Sequence, residues 1–139
     1  MTILSESSAF RPRIVRYCPF CKPDGPAIVE TELAFAIYDK RPVSKGHVII
    51  ASKRHARHYF DLPTEVQANM WHILNKVKQI LDRQYQPDGY TIGINEGIAA
   101  GQSVPHPHIH VIPRFEGDVE DPTGGVKSIL RKPGEPPLP

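Results

Sequence analysis

Gly101-Gln-Ser-Val-Pro-His-Pro-His-Ile-His-Val-Ile-Pro-Arg114 carries three histidines, His106, His108 and His110, at every second position, with Ile109 and Val111 between and after them. Successive side chains of a β-strand point to opposite faces, so this spacing predicts a strand with imidazoles on one face and aliphatic residues on the other. Such a strand is both a core element and a reactive surface. Just upstream, Gly101, Gln102 and Ser103 supply a flexible backbone and short donors of the kind that line an anion site. Pro105 and Pro107 cannot donate to a ladder, so the strand is expected to begin unpaired on one side around His106 to His108, where a site could open. Spacing alone leaves two chemistries open beside a merely solvated face: a three-histidine metal site, or an imidazole nucleophile acting on phosphorus.

Outward from this stretch, Tyr90-Thr-Ile-Gly-Ile-Asn95 alternates as a strand, and Pro87-Asp-Gly89 before it reads as a helix stop. Thr64 to Tyr85 is predicted as one long helix. Thr64 and Gln67 have capping-box spacing, and Val66, Met70, Ile73, Leu74, Val77, Ile80 and Leu81 recur as a single apolar stripe. Further upstream, Leu33 to Tyr38 and Gly46 to Ala51 read as two strands of a hairpin around the turn Asp39-Lys-Arg-Pro42. Lys53-Arg-His-Ala-Arg-His58 is a basic cluster expected to be solvated, with Arg54 or Arg57 as candidates for a phosphate. Cys18-Pro-Phe-Cys21 can supply two thiolates to a tetrahedral ion, which needs two further ligands for a closed structural site. A thioredoxin-type role needs the motif at a helix start, and Lys-Pro-Asp-Gly is a turn.

The chain has 139 residues, one domain's worth, and a net charge of +2, which gives no basic field for nucleic acid. No apolar run approaches the roughly 18 residues that would cross a bilayer, and the first residues lack an apolar signal core, so the expectation is a cytoplasmic protein without a membrane partner. Phe115 to Pro139 is rich in Gly and Pro and carries no apolar stripe; by composition its last residues are expected to be disordered.

Asn95 to Arg114 is similar to the signature of the histidine triad (HIT) nucleotide hydrolases and transferases, and the likeness extends upstream through Leu33 to His55. The resemblance implies an α+β, HIT-like fold, an antiparallel sheet of about five strands with one long helix packed on it. It divides the chain into an N-terminal arm (1–17), a HIT domain (18–115) and a C-terminal tail (116–139) packing on or near the site, and it implies a homodimer. His108 would be the nucleophile toward the α-phosphorus of a purine nucleotide, His110 would hydrogen-bond phosphate oxygens, and His47 would orient the triad. Asp39 would hold the ribose hydroxyls, Asn95 the sugar or phosphate region, and Gln102 and Ser103 the phosphates or leaving group. Backbone donors from Gly101 to Val104 would stabilise charge. Cys18, Cys21, His55 and His106 would hold a structural Zn2+. The implied activity is hydrolysis of nucleoside phosphoanhydrides or phosphoramidates, such as diadenosine polyphosphates, through a nucleotidyl-histidine. Alternatives are a zinc-activated hydrolase using His106, His108 and His110, a regulatory nucleotide-binding module, and a dinucleoside-polyphosphate phosphorylase. Pro107 departs from the family's usual aliphatic residue; related uridylyltransferases carry His-Pro-His but a glutamine where this chain has His110, which favours the hydrolase-like branches.

Overall fold

The computed structural model describes residues 17–130; most of the N-terminal arm and the last nine residues lie outside that range. Among the described residues five strands, β1 (Val29–Glu30), β2 (Ala34–Tyr38), β3 (Val48–Ser52), β4 (Gly89–Gly93) and β5 (His108–Arg114), form one antiparallel sheet in the order β1-β2-β3-β5-β4, with one α-helix, α1 (Thr64–Tyr85), between β3 and β4. The fold is the α+β arrangement expected, a five-stranded sheet with one long helix on it.

The period of two sorts each strand between two environments. Ala34 and Ala36, Val48 and Ile50, and Ile109 and Val111 face α1, meeting Val66, Met70, Ile73, Val77 and Leu81 in the main core. Leu74 packs at its edge, so the apolar stripe read from the sequence, apart from the half-buried Ile80, is the face of the helix in this core. Burying each large member of that stripe is worth about 1.5–3 kcal/mol. Phe35, Ile49 and Ala51 point to the opposite side, where Cys18 and Phe20 cover them. His108 and His110 share that second side by the same alternation.

β5 lies between β3 and β4, but the two ladders stop at different places. Pairing with β3 reaches His108, opposite Ala51, whereas pairing with β4 ends at His110, opposite Gly93. One flank of His108 is therefore released from the sheet, as the proline spacing predicted.

The capping box is not formed. Pro63 is the N-cap and no side chain caps the helix; Thr64 already lies inside it. Gln67 turns its amide back instead, donating to the carbonyls of Tyr59 and Leu62 at 3.2 and 3.0 Å. Proline's fixed φ sets the entry that a Ser or Thr cap would otherwise stabilise. At the other end Gln86 adopts the left-handed conformation (φ 48°) and its N–H reaches Asp82 O, before Pro87.

Candidate functional site

The sheet's second face carries two clusters of ionisable side chains. In the first, the amides of Cys21 and Lys22 both bond to Cys18 O at 3.2 and 3.4 Å, a turn that brings the two thiols to one side. His55 arrives from the segment after β3 and His106 from the bend just before β5. Cys18 Sγ and Cys21 Sγ lie 3.3 and 3.7 Å from His106 Nδ1, Cys21 Sγ lies 3.3 Å from His55 Nδ1, and the two Nδ1 atoms are 3.2 Å apart. A tetrahedral ion with bonds of about 2.0–2.3 Å holds its ligand atoms roughly 3.3–3.8 Å from one another, so the spacing fits. The tautomer fits as well. His106 Nε2–H donates to Ser52 O at 2.7 Å, which leaves the Nδ1 lone pair facing the thiols. Burial depresses the pKa of His106 to about 4, against the opposing effect of that carbonyl, so the ring is neutral near pH 7 and able to ligate. Cys18, Cys21, His55 and His106 are therefore a group that could hold a metal ion.

The second cluster starts from His108, whose Nδ1–H donates to the carbonyl of His106 at 2.8 Å, and no described residue hydrogen-bonds its Nε2 lone pair. Phe20, one of the two residues between the cysteines, packs against this ring at 4.9 Å between centroids and also against His106 at 5.8 Å, so it touches both clusters. His110 Nδ1 lies 3.0 Å from His47 Nε2, and Asp39 Oδ2 is 3.4 Å from that same Nε2 and 3.9 Å from His110 Nδ1. His47 Nδ1 accepts the Val43 N–H at 3.2 Å, which puts the His47 proton on Nε2 and aims it at His110 Nδ1 and Asp39. His110 then carries its own proton on Nε2. Just before His47, Gly46 has a φ of +82°, and a Cβ there would stand 2.8 Å from Tyr85 and 3.3 Å from Pro113, so the chain enters β3 here only as glycine. Burial lowers the pKa of His47, His108 and His110, the last to about 4, while the Asp39 carboxylate pulls all three upward.

In front of these rings is a cavity of about 420 Å³. His108, His110, Asp39, Ser103 and Val104 line it together; Phe20, Ile37 and Ile49 form an apolar wall, and Lys22, Asp24, Lys40 and Arg41 stand on its charged margin. A bare imidazole nitrogen, an N–H donor beside it and a half-apolar, half-ionic chamber suit attack on a phosphorylated organic molecule. No described metal-binding group joins His106, His108 and His110: His106 belongs to the first cluster and His110 to the second, which removes the geometry needed by a three-histidine zinc hydrolase.

Three expected substrate residues stand apart from the cavity lining. Asn95 and Gly101 are exposed and outside it. Gln102 is spent on its own loop, accepting the Gly97 N–H at 2.8 Å and donating to Arg57 O and Val104 O at 2.9 and 3.0 Å. Two members of the basic segment are likewise occupied: Lys53 pairs with Glu30, and His58 Nδ1 lies 2.6 Å from Glu96 Oε2, whose other oxygen accepts the Tyr59 N–H at 2.6 Å, while Arg54 and Arg57 do not line the cavity. That Glu96 clasp had no signal in residue spacing. The rim residues Lys22 and Arg41 were also missed, although the turns that bear them were marked. The described part of the tail packs beside β4 and β5 through the Arg114–Asp118 fork (2.7 and 2.8 Å) and lines a separate cavity of about 450 Å³ with Val43, Ser44 and Thr91.

The model of the HIT domain matches residues 23–117. An uncharacterized HIT-like protein of Methanocaldococcus jannaschii is 37% identical over 108 residues, covering 74% of this chain and 83% of that one. The chain belongs to the HIT domain family. A bis(5'-adenosyl)-triphosphatase of Dictyostelium discoideum is 37% identical over 91 residues; the match covers 66% of this chain but only 61% of that protein. Among solved structures, a zinc-bound histidine triad family protein of Mycobacterium smegmatis superposes with a TM-score of 0.66 at 37% identity, covering 73% of this chain and 78% of that one. The HIT match begins after both cysteines, so the candidate metal cluster combines two ligands from inside the matched stretch, His55 and His106, with two from outside it.

Proposed function

We propose that this HIT protein hydrolyses nucleoside phosphoanhydrides or phosphoramidates, diadenosine polyphosphates among them, at the α-phosphorus. The observation that carries the reading is the His108 ring, locked through Nδ1–H to the His106 carbonyl with its Nε2 unengaged in the wall of the 420 Å³ cavity. Nε2 attacks phosphorus, the P–O or P–N bond to the leaving group breaks, and a nucleotidyl-His108 forms; water then cleaves its P–N bond and releases the nucleoside monophosphate. His110 presents Nε2–H to the phosphoryl oxygens or the leaving group, held by His47. Ser103 and the Val104 backbone steady the phosphate, the apolar wall receives a purine base, and Asp39 receives the ribose hydroxyls. Asn95, Gly101 and Gln102 shape the loop behind them.

Zinc is the ion that the Cys2His2 donor set suits best, and it would supply folding energy rather than take part in the reaction. A reduced thiol pair of this kind belongs in a cytoplasmic protein. The reading carries a homodimer as well, which sedimentation tests.

The decisive experiment is product analysis by mass spectrometry over adenylated and guanylated phosphoanhydrides and phosphoramidates, on wild type and His108→Ala. Nucleoside monophosphate release by wild type, abolished in the variant, with an adduct trapped on His108, is the expected result. Equal release by both proteins removes the nucleophile. Absence of turnover in wild type turns the chain into a binding module, and a requirement for inorganic phosphate makes it a phosphorylase.

A further inference from the structure

Asp39 stands at the end of β2 with its two oxygens committed differently. Oδ1 accepts the Arg41 N–H at 2.9 Å, the ordinary work of an aspartate in a turn. Oδ2 is directed at the imidazoles, 3.4 Å from His47 Nε2 and 3.9 Å from His110 Nδ1, in a site where the carboxylate side chain is only 16% exposed. A sugar contact alone does not require an anion beside a histidine pair that is already hydrogen-bonded within itself. We propose that Asp39 is a positioning residue for proton supply, its charge holding the His47–His110 pair in register and favouring the cationic state that pair reaches while a proton moves to or from the leaving group. This rests on the hydrolase reading above and adds to the ribose contact a role that exists without substrate.

The surroundings make the carboxylate's effect traceable. Besides Asp39, the titratable group facing the pair is His108 on β5; Lys40 and Arg41 stand on the cavity margin, and Arg114, further along β5, is bound to Asp118. Burial and the neighbouring imidazoles push both rings toward neutrality, and Asp39 is the one group acting in the other direction on both.

The test uses Asp39→Asn and Asp39→Glu with two substrates, an adenosine phosphoramidate and its 2′,3′-dideoxyribose counterpart, together with NMR titration of the imidazoles in the ligand-free protein. With the dideoxy substrate the sugar contact is absent from every protein compared, so the positioning role predicts that Asp39→Asn still lowers kcat about tenfold. It also predicts that the His47 and His110 titrations move to lower pH, and that Asp39→Glu recovers part of both effects. Should Asp39→Asn match wild type within twofold on the dideoxy substrate, or leave the imidazole titrations where they are, Asp39 serves the sugar alone and the proposal falls. A wild type that turns over neither compound overturns the hydrolase reading instead, and the titrations still decide what Asp39 does to the pair.

Discussion

The two clusters on the open face of the sheet are built from similar parts and prepared for opposite tasks. Each contains a pair of imidazoles whose nitrogens approach within 3.2 Å of one another, and each adds anionic or soft donors, two thiols in one and a carboxylate in the other. What separates them is the group behind the ring. Ser52 O takes the proton of His106 Nε2, so the lone pair on Nδ1 points into the cluster, the state a metal needs. Val43 N–H occupies His47 Nδ1, so a proton rather than a lone pair points into the cluster, the state a hydrogen-bond relay needs. Asp39, His47 and His110 also stand close enough together to hold a metal ion, but the His47 tautomer turns a proton rather than a lone pair toward that point. On the proposed reading, a backbone acceptor behind one ring and a backbone donor behind the other separate the candidate metal cluster from the candidate reaction site.

The largest effect should come from dismantling the scaffold. A Cys21→Ser variant, or exhaustive chelation, should strip the metal measured by elemental analysis and lower stability by several kcal/mol, on the order of the folding energy that structural zinc supplies elsewhere. Chelation that left thermal unfolding unchanged while abolishing turnover would reverse the roles assigned to the two clusters. His110→Ala is the counterpart: unfolding should stay within about 1 kcal/mol of wild type, while kcat falls about a hundredfold, as expected for a general acid–base group. The contrast fails if the two variants lose stability alike.

Periodicity made the two faces of the sheet legible in the residues themselves, while the division into a metal cluster and a nucleophile came only with the resemblance to the HIT family. Alternation put His108 and His110 on one face and Ile109 and Val111 on the other, and the helical stripe from Val66 to Leu81 fixed the layer that buries the aliphatic side. Hidden from the sequence were contacts made by the backbone. Neither Ser52 O nor Val43 N–H depends on its own side chain, so no residue type marks them. The capping box failed for a related reason, since the backbone of Pro63 already set the helix entry. Gln102, chosen for its amide beside an anion loop, uses that amide to stitch the loop to Arg57 and Val104. Strand alternation fixed the direction of His108 and His110, whereas the hydrogen bonds of an irregular loop, such as those of Gln102, have no period to reveal them.

A smaller effect separates the clusters by pH. His110 has a pKa of about 4 in the folded chain, below the ordinary histidine value of 6.5, because burial and neighbouring imidazoles disfavour its charged form. The unfolded chain therefore binds the proton first as pH drops. The associated stability is fully present above pH 6.5 and is lost as pH falls toward about 4, amounting to no more than about 3 kcal/mol at this partly exposed position. Denaturant unfolding at pH 7 and pH 4.5 should show this loss in wild type and a shallower one in His110→Gln. An identical slope in both proteins would mean that His110 is not the ring that resists protonation.

The smallest effect tests the backbone claim directly. The Val43 side chain is 74% exposed, so Val43→Ala should change stability by less than about 0.5 kcal/mol and leave kcat alone. Val43→Pro has a similarly small side chain but deletes the N–H that His47 Nδ1 accepts, at a cost of about 1 kcal/mol for the lost bond. With that donor gone, His47 is free to carry its proton on Nδ1, and nitrogen chemical shifts should record a mixture of tautomers where wild type shows one. A lone pair would then point at His110 and Asp39 in part of the population, raising the second cluster's affinity for a divalent ion above that of wild type. If His47 keeps its proton on Nε2 in Val43→Pro, the Asp39 carboxylate is sufficient to hold it there, and the distinction between the clusters moves from the backbone to that one side chain.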